Sequence, residues 1–409
     1  MRDGGLLTPL REPVFRQLVV GRGSAELANA IAPVALSFAV LDVTGNLVHL
    51  GVVVGARSVA VVLLVLFGGM LADRLPRSVI LQGTAALAAL TQAAIAVSVL
   101  GGFATLPLLV VLSVANGVTS AMSLPAAAAL TPQTVPAGML TQANAVARMF
   151  VNSGRFTGAA VGGVMVGAFG PGWAIAGNAA VFLAAALAYR AVRITGKPRG
   201  ATGSVFGELA DGWREFTEHT WVWVVVLQFM VVNAVLAGGL FVLGPAVADH
   251  SIGRMAWGFV IAAQTAGALV GGVLMAHWRP RRALLAGVAV VLLEVVPLIT
   301  LAKAPQVVPL LLAMFVVGVS GEVFVVAWDV SLQENIPPDK LARVYSYDML
   351  GSFIALPVGE VLAGPLGTRF GTETALLAGA VVLALVTCAA LGSRQVRGLV
   401  RRDPVEATG

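Results

Sequence analysis

Two long apolar runs, residues 48–71 and 78–100, are separated only by Ala72-Asp73-Arg74-Leu75-Pro76-Arg77. A helix of about 20 predominantly apolar residues crosses a hydrocarbon core of roughly 30 Å. A turn this short, holding three charges and a proline, can only join two such helices on one side of a membrane. The alternation recurs throughout the chain: 58% of residues are hydrophobic and 11% charged, against roughly 25% charged in a soluble domain. The sequence therefore reads as an all-α membrane protein with many spans.

The apolar runs predict twelve transmembrane helices, at 18–41, 48–71, 78–100, 106–124, 143–168, 172–191, 220–247, 255–277, 283–302, 307–330, 343–366 and 373–392. Most of the basic residues, among them Arg11, Arg16, Arg74, Arg77, Arg190, Arg281, Arg282, Arg394 and Arg397, fall on one side of this alternation. The opposite loops keep Arg254, Lys303 and Arg369. The bias of Lys and Arg toward the cytoplasm predicts that both termini are cytoplasmic, in a multi-pass protein of the cell membrane. The polar stretch from Arg193 to Thr220 divides the chain into an N-terminal six-helix bundle (1–192), a cytoplasmic linker (193–219), a C-terminal six-helix bundle (220–393) and a tail (394–409). Val135-Pro136 with Leu140 is echoed by Ile336-Pro337 with Leu341, and Gly68-Gly69 by Gly271-Gly272, at offsets of 201 and 203 residues. Such a parallel repeat implies two halves related by a pseudo-two-fold axis.

Several classes of function are disfavoured. The net charge of +6 is spread over helix ends, whereas a nucleic-acid binder gathers its basic residues on one surface. The single cysteine, Cys388, provides neither a disulfide framework nor a metal cluster. His219, His250 and His277 have no metal-ligand spacing. Neither a nucleotide-binding loop nor a nucleophile elbow is present, so no enzyme, cofactor or ATP-driven step is expected. The first apolar run carries Arg22 and Glu26 and continues for some two dozen residues, so it is expected to remain as helix 1.

Gly69-x-Leu71-Ala72-Asp73-Arg74-x-x-Arg77 resembles the loop 2-3 signature of the major facilitator superfamily, with Pro76 and Ser78 where a glycine and a second basic residue are usual. Ile31-Ala32-Pro33-Val34-Ala35-Leu36-Ser37-Phe38-Ala39-Val40-Leu41-Asp42 together with that loop resembles the branch holding enterobactin exporters and macrolide efflux pumps. Two positions depart from the family pattern. Gly158-Ala159-Ala160-Val161-Gly162-Gly163 lacks the proline of the antiporter signature, and Ser113 stands where helix 4 often has arginine. The resemblance implies that Asp73, in a gating motif with Gly69, Arg74 and Arg77, pairs across the halves. It also implies that helices 1, 4, 7 and 10 line a central cavity, which would gather Glu26, Asn116, Gln228, Asn233 and Glu322.

The residues carry their own signals. Arg22, Glu26, Asn29 and Pro33 follow one another at steps of 4, 3 and 4 and so share a helix face. A charged, unpaired carboxylate at mid-membrane costs on the order of 3 kcal/mol or more, so Glu26 calls for a cavity or a cation, either Arg22 or Arg57. Asn144, Arg148, Asn152 and Arg155 share a face of helix 5; its two cations call for an anionic substrate or the carboxylates of another helix. Glu322 is expected as a protonatable site, Asp329 at the end of helix 10 as a gate partner of Arg77 or Arg343, and Asp348 as a further gating residue. Glu294 falls in mid-span. Trp221, Trp223, Trp257 and Trp278 are expected as interfacial anchors.

These readings converge on a secondary transporter, expected as a monomer, that exports an amphipathic small molecule in exchange for protons, with the proton gradient as its energy source. Arg148 and Arg155 favour an anionic compound such as a catecholate siderophore, Glu26 and Glu322 a cationic drug such as a macrolide. An importer of a polar solute on the same fold, and a membrane sensor or assembly protein, are the alternatives.

Overall fold

A computed structural model describes residues 7–72, 76–192, 216–278 and 280–400. Their secondary structure is helical, and eleven of the helices are long and apolar enough to cross a membrane. In the first half the long helices are α1 (Pro13–Thr44), α2 (Leu47–Ala72), α3 (Arg77–Leu100), α4 (Leu106–Leu130), α5 (Leu140–Phe169) and α6 (Pro171–Arg190). The twelfth long helix is α5. Its Arg148 and Arg155 lower its hydropathy, but its 30 residues reach about 45 Å.

In the second half α7 spans Thr220–His250, α8 Arg254–His277, α9 Ala283–Lys303, α10 Val307–Asn335, α11 runs as Pro338–Phe353 and Leu356–Phe370, and α12 is Thr372–Gly392. Three of these are irregular. A π-helical turn occupies Gly238–Leu243 in α7, a 3-10 turn occupies Val291–Glu294 in α9, and α11 is interrupted at Ile354 and Ala355. Each irregularity lies just before a proline, Pro245, Pro297 or Pro357. A proline ring clashes with the carbonyl four residues earlier and gives it no N–H, so the preceding turn rewinds.

Among the described residues two compact units form. One holds the chain up to Val192 together with Ala248–Ala262; the other holds Phe216–Val247 and the chain from Ala263 onward. The turn between α7 and α8, which the sequence division places in the second half, thus groups by contact with the first unit.

Within the first unit α1 packs on α5 and α6, α2 on α4, and α3 on α4 and α6. Within the second, α7 packs on α11 and α12, and α9 on α10 and α12. The repeat seen in the sequence has structural counterparts at the same 201-residue offset. Gly170 (φ 84°) turns the chain from α5 into α6, and Gly371 (φ 83°) from α11 into α12; a positive φ there is open to glycine at no steric cost. Gly158 lies against the Leu27 carbonyl of α1, and Gly359 against the Ala234 carbonyl of α7.

Candidate functional site

Small residues bring α1 and α5 close enough for their polar faces to meet. A methyl group on Gly154 would stand 3.1 Å from the Leu27 nitrogen, and one on Gly162 3.2 Å from Ile31 Cα. On the residue next to Gly154, Arg155 Nε donates to Glu26 Oε2 at 2.7 Å. Glu26 thus takes its cation from α5. The local Arg22 to Glu26 pairing that the spacing allows is replaced, because Arg22 NH1 instead donates to Thr131 Oγ1 at 3.1 Å. From α2, Arg57 donates through Nε to Asn116 Oδ1 and through NH2 to Ser120 Oγ on α4, both at 3.1 Å.

Arg22, Glu26, Arg57, Ser120 and Arg155 line one polar cavity of about 470 Å³ inside the first unit, a size typical of small-molecule sites. Arg22, Glu26 and Asn29 of α1, Arg57 of α2 and Arg155 of α5 supply its charge and amide groups; Thr84, Thr119, Ser120 and Ser123 supply hydroxyls. Three guanidinium groups against one carboxylate leave a formal excess of two positive charges on the lining. Tyr189 of α6 closes one wall, 4% exposed, with its ring beside Gly21 where a methyl group would stand 2.7 Å away. Asn116 itself is buried. The cavity can accept hydrogen-bonding and anionic groups from its arginines, and a cation or a proton at Glu26.

Residues 18–359 match the family model of the Major Facilitator Superfamily. The chain belongs to that superfamily. The multidrug efflux pump Tap of Mycolicibacterium fortuitum is 26% identical over 414 residues, which cover 96% of this chain and 97% of Tap. Among solved structures, a mutant of the nucleoside transporter NupG is similar with a TM-score of 0.78 at 13% identity, covering 93% of this chain and 99% of that one. An inward-facing, unoccupied bacterial homologue of the human lysosomal transporter Spinster gives 0.75 at 16%, covering 97% and 99%. These two likenesses concern the fold, which is the all-α major facilitator fold; the chain is a transporter and not an enzyme.

The superfamily's loop motif is only partly described. Gly69 lies in α2 and Arg77 begins α3, whereas Asp73 and Arg74 lie outside the described residues. Arg148 is exposed, and no described residue bonds to it. Glu26, Arg57, Asn116 and Arg155 are therefore brought together, while Arg148 stands apart from their cavity.

The acids of the second unit are placed differently from expectation. The end of α10 is Asn335, where Ile336 leaves the helix as an extended residue before Pro337. Asp329 accordingly lies inside the helix rather than at its end, and Oδ1 accepts from the Tyr345 hydroxyl at 3.0 Å. Asp348 accepts from Trp328 Nε1 at 2.9 Å and Ser352 Oγ at 3.1 Å. Trp328 stacks on Phe324, which stacks on Phe229 with centroids 3.9 Å apart. Glu322 sits near the middle of α10 and packs against Gly271 and Gly272 of α8. Gln228 and Asn233 bond within this unit, to Thr387 and to the Ser352 carbonyl. Trp221 and Trp257 are 4% and 2% exposed, so they are core residues and not interfacial anchors.

One ion cluster is not legible from spacing. Arg254, which reads as a lone loop cation, bonds to Asp42 at the end of α1 and to Asp249 at the end of α7.

Proposed function

We propose that this chain is a proton-coupled exporter of an amphipathic small molecule, working by alternating access between two bundles in the cell membrane. The observation that carries the reading is the Glu26–Arg155 pair in the polar cavity, a titratable acid held by a cation inside a membrane bundle. Full-length similarity to the efflux pump Tap supports the direction.

Coupling fixes a relation between direction and substrate charge. A solute whose cationic or donor group takes Glu26 away from Arg155 competes with a proton for the same carboxylate. Competition for one group means that proton and solute occupy it alternately, so inward proton flow drives export. A macrolide or another amphipathic amine meets this condition. A catecholate siderophore would instead use the arginines.

A second reading is import of an anionic or polar solute, and the excess of guanidinium groups in the cavity favours it. An anion seated on Arg155 would bind best once Glu26 is protonated, so proton and solute would travel together. The likeness to NupG adds only a shared fold.

The test is accumulation of a macrolide, a fluorescent cation and a catecholate siderophore in cells producing the protein, with and without a protonophore. Proton-driven export predicts reduced accumulation of the macrolide or the cation, restored by the protonophore. Raised, protonophore-sensitive accumulation of the siderophore would establish the import reading instead.

A further inference from the structure

Glu294 lies in the middle of α9, within its 3-10 turn, and is 4% exposed. The helices packed on that turn are α10 and α12, and neither contains a lysine, arginine or histidine. The cation of α9 itself, Lys303, stands nine residues away at the helix end and binds Glu373, the acid of α12. From α10 the near titratable group is Glu322, the residue after Gly321; Asp329 lies two turns further and is held by Tyr345. Cys388 of α12 is exposed. No described residue forms a hydrogen bond or ion pair with Glu294. An ionised carboxylate without a counter-charge is strongly disfavoured in such a setting.

The acid nevertheless has room. A methyl group on Gly321 would have Glu294 Oε1 as its single neighbour, at 3.9 Å, so a small space lies between the carboxyl and α10. A purely structural role would be met by leucine, which packs there without a polar group to satisfy.

We infer that Glu294 is held as a neutral carboxylic acid and forms a second proton-carrying site, which exchanges its proton through the Gly321 space beside Glu322. Its part in coupling rests on the proton-driven reading above; its protonation is independent of any solute and is measured without one.

The experiment is infrared difference spectroscopy of the purified, lipid-reconstituted protein across pH steps. A carboxylic-acid carbonyl band is expected at neutral pH in the wild type and in Glu322→Gln, bleaching as pH rises, and missing in Glu294→Gln. Gly321→Ala is expected to fold normally and to shift the frequency or titration of the band. Glutamine mimics the neutral acid, so Glu294→Gln should melt within a degree or two of wild type. A band that survives Glu294→Gln, a Glu294 band that ignores pH, or marked unfolding of Glu294→Gln would overturn the inference. A failed transport assay with these spectra intact would leave the proton site standing and reject only the transport reading.

Discussion

Arg254 holds the carboxylate of Asp42 at two points, NH1 to Oδ2 at 2.8 Å and NH2 to Oδ1 at 2.6 Å. Its Nε reaches Asp249 Oδ1 at 2.7 Å, and its guanidinium lies 5.1 Å from the centre of the Phe38 ring. The planar fork of arginine satisfies both acids at once, which a lysine ammonium cannot do. The cluster fastens Ala248–Ala262 into the first unit. Partial exposure of Arg254 and Asp42, 26% and 39%, limits its worth to about 1 kcal/mol. Arg254→Ala should therefore raise amide hydrogen exchange over residues 248–262 roughly fivefold, with Arg254→Lys only partly protective. Unchanged exchange in both variants would mean that packing alone seats the segment.

The packing beneath that cluster is equally specific. Gly163 of α5 and Gly258 of α8 meet backbone to backbone, so that a methyl group on Gly163 would stand 2.5 Å from Gly258 Cα. The atoms in the way are backbone and cannot swing aside, so Gly163→Ala should cost about 1 to 3 kcal/mol. At Gly83 of α3 nothing lies within 4 Å, and Gly83→Ala should be neutral or stabilising by up to about 1 kcal/mol. Thermal unfolding in detergent separates the two; equal melting points would refute the close approach.

In the second unit, Trp328 links two kinds of contact. Its Nε1 donates to Asp348 while its ring stacks on Phe324 and meets Trp221 edge-on with centroids 5.6 Å apart. Trp328→Phe keeps much of the stack and deletes the donor, leaving Asp348 with Ser352 alone. The loss should be about 1 to 3 kcal/mol. The double variant with Asp348→Leu should be less destabilised than the sum of the single changes, because the two changes remove one shared bond. Simple additivity in equilibrium unfolding would show that the bond carries no weight.

What is legible in the sequence follows from what local spacing can encode. Steps of 4 and 3 place Arg22, Glu26 and Asn29 on one face, and all three line the cavity. Which cation Glu26 takes is a tertiary matter: Arg155 wins because glycines let α5 approach α1, and that approach is invisible to spacing within either helix. The end of α10 falls later than expected because the apolar run stops at 330, whereas the helix continues through Ser331 and Asn335, whose side chains fold back onto backbone carbonyls four residues earlier. The irregular turns of α7, α9 and α11 are readable in principle, since each has its proline in the sequence. Trp257 reads as interfacial because hydropathy marks a helix end, not which way its side chains face.

The Glu26–Arg155 pair gives the prediction that bears most directly on mechanism. Protonation of Glu26 would remove the charge that holds Arg155 and so release the pair. In an exporter coupled through Glu26, proteoliposome transport of a macrolide should rise with the imposed proton gradient in the wild type. Glu26→Gln fixes the protonated form: gradient dependence should vanish and affinity for a cationic solute should fall about tenfold, one charge-assisted bond being lost. Arg155→Gln leaves Glu26 without the cation it holds, and the response to the imposed gradient should weaken. Arg148→Gln on the same helix, exposed and outside the cavity, should leave both properties unchanged. Coupling that survives Glu26→Gln, or a loss in Arg148→Gln equal to that in Arg155→Gln, would move the site of coupling out of this cavity.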